Sequence, residues 1–232
     1  MSAAIEIQGH EVAVPVRVRD ANAWFATFVV DAAAAQSLID YSRLQVTQPV
    51  PGRALVSLGF VRYFDSDLGP YHELAVAVLV RPADGRGRRS KVGGAFIHQL
   101  PVNQAFTLEV GRTIWGFPKW MADIAIETRG RVATCTLRHE GELVLTLSLS
   151  RGVPVPSRGS SVDAYSCLDG VTRRTPWAID GSGTRMRPGG ATLVLGDHPM
   201  AKELRALGLP KRAFTSGSID TMRASFDAAQ VV

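Results

Sequence analysis

Apolar positions in this chain recur mostly at every second residue. In residues 11–19 (EVAVPVRVR), Val12, Val14, Val16 and Val18 share one face while Arg17 and Arg19 share the other, the signature of a half-buried strand. Strand-like alternation or short apolar runs return at 24–30, 54–64, 71–80, 92–99, 119–127, 131–138, 143–150, 171–179 and 192–195. Turn chemistry such as Thr128-Arg129-Gly130 and Glu140-Gly141-Glu142 joins them. So many strands in one chain predict a closed or strongly curled sheet, because closure removes exposed edges. Helices are few and short. Asp31 caps 32–42, Asn103 caps a helix over 104–110 that Gly111 ends, and Asp197 caps 200–207 ahead of Gly208 and Pro210. The segment 152–161 (GVPVPSRGSS) is the best linker candidate, yet strands resume after it. The expected fold is α+β, a single domain over residues 1–232, with a curled, barrel-like antiparallel β-sheet and short flanking helices.

Composition places the chain among ordinary globular proteins, with 46% hydrophobic and 20% charged residues over 232 positions. The formal charge of +5 invites a nucleic-acid reading. More than half of that excess lies in one Gly-rich tip, 84–91, where Arg86, Arg88, Arg89 and Lys91 face a single Asp84. The tip has no interleaved aromatics on which bases could stack, so no nucleic-acid partner is expected. Two cysteines, Cys135 and Cys167, lack metal-ligand spacing and cannot build a disulfide framework. The first ten residues lack a basic region followed by an apolar one, and the most apolar stretch, 23–35, is too short to span a membrane. A cytoplasmic location with no membrane partner is the expectation.

Several motifs fail on inspection. The 84–91 tip lacks the Gly-Lys-Ser/Thr ending of a phosphate loop. His72-Glu73 and His139-Glu140 have no second histidine four positions on, so no metal is expected. No serine stands between spaced glycines as a nucleophile elbow does. What remains is 110–124, VGRTIWGFPKWMADI, in which Lys119 stands among Ile114, Trp115, Phe117, Pro118, Trp120 and Met121. A lysine removed from water favours its neutral amine, which can attack a ketone to give a Schiff base. The alternative is a lysine that lays its stem on the aromatics and lifts its head into solvent.

The run Gly111-Arg112-Thr113-Ile114-Trp115-Gly116-Phe117-Pro118-Lys119, followed by Ala-Asp-Ile, resembles the signature of the acetoacetate decarboxylase superfamily. Leu68-Gly69-Pro70-Tyr71-His72-Glu73 is similar to that family's second signature, at the start of a strand. The resemblance implies a Schiff-base role for Lys119 and an acidic role beside the substrate for Glu73. It implies a curled barrel-like sheet, assembly into homo-oligomers, no cofactor, and a small keto acid as substrate that loses carbon dioxide through an enamine. Family decarboxylases carry a second lysine after the first, where this chain has Trp120, and an earlier glutamate where it has Leu58. Those departures leave room for an imine-dependent aldolase or dehydratase, and a non-catalytic binding module of the same fold is the reading from another class. For the substrate carboxylate the candidates are Arg17, Arg19 and Arg112, with Tyr71, Phe117 and Met121 as further lining residues. Alternation puts Tyr71 on the side of Glu73 and His72 on the other, and sends Trp120 away from Lys119. The enzyme readings require Lys119 and Glu73 to converge in one mostly buried cavity.

Overall fold

The structure, a computed structural model, describes residues 3–81, 94–157 and 159–232. The basic tip at 84–91 lies outside the described residues. In chain order the elements are β1 (Ala3–Ile7), β2 (His10–Val14), β3 (Val16–Asp31), α1 (Ala32–Ile39), β4 (Arg53–Ser66), β5 (Tyr71–Val80), β6 (Gly94–Val102), α2 (Ala105–Trp115), β7 (Lys119–Met121) and β8 (Asp123–Arg129). The rest comprises β9 (Val132–His139), β10 (Glu142–Ser150), β11 (Val153–Pro154), β12 (Ser160–Leu168), β13 (Val171–Ser182), β14 (Arg185–Pro188), β15 (Ala191–Leu195), α3 (Pro199–Ala206), β16 (Thr215–Phe226) and β17 (Gln230–Val231).

Strands β16, β3, β4, β5, β6, β12 and β13 pair in that order, and β13 pairs back onto β16, closing a seven-stranded barrel. A four-stranded sheet, ordered β15-β10-β9-β8, stands outside it. Closure leaves the wall between two apolar layers. Inside, Val16, Val18, Tyr63, Tyr71, Leu100 and Val102 pack with Trp115 and Phe117. Outside, Phe28, Phe60, Leu74 and Phe96 pack with Leu137 and Leu147 of the four-stranded sheet and Met200 of α3. Strand β5 is therefore covered on both faces, which is why YHELAVAVLV reads as a continuous apolar run rather than an alternation.

The expected barrel-like fold with short flanking helices is present, with several boundary corrections. Residues 11–19 break at Pro15, which has no N–H to donate to a ladder, and β3 instead runs on through 24–30. The sheet is not purely antiparallel, since β6 pairs in parallel with both β12 and β7. Strand β7 returns through α2, and such a crossover is what a parallel pair needs. Strands β12 and β16 were not expected from the pattern, and β12 begins inside the segment taken as a linker. Asp31 does cap α1, accepting from the N–H groups of Ala33 and Ala34. The cap of α2 is Gln104 rather than Asn103, and that of α3 is His198 rather than Asp197. Gly111 does not end α2; the helix runs four residues further to Trp115 and stops at Gly116.

On the outer face, His98 Nε2 and Gln99 Nε2 both contact Glu203 Oε2, at 3.0 and 3.1 Å. Hydrogen bonding from His98 is the main reason the Glu203 carboxyl is held below its ordinary value of 4.5, with burial opposing it. A depressed folded value means that this tie stabilises the protein above about pH 4.5 and is lost as pH falls through the lower folded value. Denaturant midpoints should therefore show wild type above Glu203→Gln at pH 7, with the gap closing at strongly acid pH. A gap that persists there would contradict the assignment.

Candidate active site

The site is built by the turn that follows α2. Gly116 adopts φ 63°, which few side chains tolerate, and its N–H bonds the carbonyl of Arg112 while that of Phe117 bonds the carbonyl of Gly111. The chain reverses, and β7 then runs beside β6 with Lys119 opposite Leu100. This reversal lays the Lys119 stem back across α2 at Gly111. An added Cβ there would stand 2.5 Å from Lys119 Cδ, so only glycine leaves room for the stem. One helical turn earlier, Thr107 meets the amine, because positions i and i+4 share a helix face.

Lys119 is 3% exposed and does not lift its head into solvent. Its Nζ lies 2.9 Å from Glu73 Oε2 and donates to Thr107 Oγ1 at 3.0 Å. The ring of Tyr71 faces the amine at 5.2 Å from its centroid, and Tyr63 stacks on Tyr71. Tyr63 also donates its hydroxyl proton to Glu73 Oε1 at 3.1 Å. Burial, followed by the negative charge of Glu73, pushes both phenols well above their ordinary value, so each stays a neutral donor throughout the working pH range. Glu73 thus has one oxygen on the amine and the other on a phenol.

These groups open onto a small cavity of about 20 Å³ lined by Val16, Val18, Leu100, Trp115, Phe117 and Trp177 among others. That is room for about one water. Its lining comes from six of the seven barrel strands together with α2 and β7, which only the barrel interior can supply. Among the described residues, Lys119 and Glu73 are its only charged lining groups.

The other sequence candidates divide. Tyr71 and Phe117 line the cavity. Arg17 and Arg19 do not; Val16 and Val18 take the inward positions of β3, so both arginines face out, and Arg19 is held by Asp65 and Asp67. Arg112 is exposed on α2. Met121 shares its alternation with Lys119, but β7 ends there and the side chain is 43% exposed. Trp120 turns away from Lys119, stacking on His198 and donating to Gln99 Oε1 at 3.0 Å. A roomier groove of about 840 Å³, lined by Arg17, Arg19 and Arg223, shares Val18 with the cavity but contains neither Lys119 nor Glu73. Sequence reasoning missed Thr107, Tyr63 and the close approach at Gly111; the spacing of Thr107 and Gly111 would have shown them only if the helix had been carried past the glycine.

Fold and site together define a β-barrel protein with a buried amine, paired to a carboxylate, in a closed aromatic cavity. The acetoacetate decarboxylase (ADC) family model matches residues 5–232, and the chain belongs to that family. No curated protein sequence matches it. Among solved structures, it is similar to acetoacetate decarboxylase from Legionella pneumophila subsp. pneumophila str. Philadelphia 1, with 18% identity over 94% of this chain and 87% of that one and a TM-score of 0.71. The enduracididine biosynthesis enzyme MppR, with HEPES buffer bound, matches at 16% identity over 94% and 87% of the two chains, with a TM-score of 0.63. An acetoacetate decarboxylase-like enzyme from Sphingomonas wittichii RW1 matches at 14% identity over 98% and 97%, with a TM-score of 0.57. At these identities the likeness is one of fold.

Proposed function

We propose that this protein is an enzyme that forms a Schiff base between Lys119 and a small β-keto or oxo acid, and that an acetoacetate-like acid loses carbon dioxide from that imine. The observation that carries the reading is the buried Lys119–Glu73 contact at 2.9 Å. In this reading Glu73 takes a proton from the ammonium and frees the amine to attack the ketone. The resulting carbinolamine loses water, its hydroxyl protonated by Glu73, to leave a protonated imine. The bond between the carboxylate and the adjacent carbon then breaks, and its electron pair enters the enamine while the nitrogen becomes neutral. The Tyr63 phenol gives its proton to the enamine carbon, and the water that then adds to the new imine returns a proton to the phenolate as the carbinolamine releases the ketone and the neutral amine. Thr107 and the Tyr71 ring fix the amine between these partners.

A second reading, aldol addition or dehydration through the same imine, is favoured by the fold's likeness to MppR, one of whose structures holds the condensation product of pyruvate and imidazole 4-carboxaldehyde. Assembly into a homo-oligomer and a cytoplasmic setting, in which Cys135 and Cys167 stay buried free thiols, belong to the same proposal. Carbon dioxide release from acetoacetate decides between the reactions. Decarboxylation predicts release that depends on Lys119, whereas a condensation product from pyruvate plus an aldehyde, without carbon dioxide from acetoacetate, would favour the second.

A further inference from the structure

If the proposed imine forms, a keto acid brings a carboxylate into a cavity whose only described cation already faces Glu73. A buried carboxylate without a donor is costly, so some group must receive it. Trp177, on β13, lines the cavity, and its indole N–H is buried with no hydrogen-bond partner. Aromatic contacts hold the ring, with Phe226 at 5.1 Å and Phe117 at 5.8 Å between centroids. Trp177 and Phe226 are also the lining residues that are only half-buried, so they stand between the cavity and solvent. Buried tryptophan N–H groups ordinarily find an acceptor; Trp115, in the same cavity, donates to the Asp227 carbonyl at 2.8 Å.

We propose that the indole N–H of Trp177 receives the substrate carboxylate at the mouth of the cavity and orients it for loss. This inference rests on the imine reading. The chemistry suits a neutral donor. The carboxylate gives up its charge as it becomes carbon dioxide, so a guanidinium would hold the ground state more tightly than the transition state, whereas one neutral N–H orients the group and releases it readily. Trp177 is then a specificity residue for acids over neutral ketones.

The test compares acetoacetate turnover with borohydride trapping of acetone on Lys119, in the unmodified protein, Trp177→Phe and Trp177→His. Trp177→Phe should lower kcat/KM for acetoacetate roughly ten- to hundredfold, the loss of one hydrogen bond to a charged group. Acetone trapping should stay within about twofold, and Trp177→His, which keeps a ring N–H, should recover part of the loss. Equal falls in both assays for both variants, or no fall in either, would overturn the role of Trp177. Absence of any adduct in the unmodified protein would instead overturn the imine reading on which it rests.

Discussion

Lys119→Met should abolish turnover, by on the order of 10⁴-fold or more, as removal of other covalent nucleophiles does. It should also destabilise the protein, although methionine replaces the buried stem with an apolar one of similar length. The reason is Glu73, whose side chain is 11% exposed and, among the described residues, would be left with the Tyr63 hydroxyl as its one side-chain hydrogen-bond partner. Breaking a buried pair from one side costs about 3–5 kcal/mol. The double variant Lys119→Met/Glu73→Gln removes the stranded charge and should regain most of that stability while remaining inactive. Denaturant unfolding of the two variants beside wild type measures this directly. A Lys119→Met protein as stable as wild type would mean that the pair is not the closed ion pair described above.

Gly111→Ala should also be damaging, against the usual rule for helix interiors. Alanine is ordinarily favoured over glycine there by about 1 kcal/mol. In α2 the added methyl meets Lys119 Cδ at 2.5 Å and Cε at 2.6 Å, and the lysine has no free direction because Glu73 and Thr107 hold its amine. Overpacking of this kind costs about 1–3 kcal/mol, enough to reverse the sign of the substitution. The Lys119 amine would shift by about 1 Å, and under the proposed function a displacement of that size lowers turnover roughly a hundredfold. Thermal midpoint and kcat are the two readouts. A more stable, fully active Gly111→Ala would show that the stem does not pass where described.

Much of this was legible in the sequence, and the failures have physical reasons. Alternation located β3, β4 and the facing of Tyr71, Glu73 and Trp120, because a pleated strand fixes which side a residue takes. Alternation does not fix depth, so Met121 lies on the right side of β7 yet in solvent, and Arg17 and Arg19 mark a strand face rather than a pocket. Gly111 looked like a helix stop because a glycine's ordinary role at that position is conformational; here it is an absence of side chain that another element needs. Strands β12 and β16 carry Ser160, Ser161, Gly217 and Ser218, small polar residues that read as loop but pair through barrel closure. The partnering of Lys119 by Thr107 and of Glu73 by Tyr63 depends on the chain reversal at Gly116 and on neighbouring strands, neither of which periodicity reports.

The central claim is that Lys119 is the reacting amine, and reduction in the presence of acetoacetate tests it most directly. Borohydride should freeze the imine as a secondary amine, and peptide mass spectrometry should place a single adduct on Lys119 that is absent from Lys119→Met. No adduct with acetoacetate or any other small oxo acid, or an adduct on a different lysine, would contradict the account.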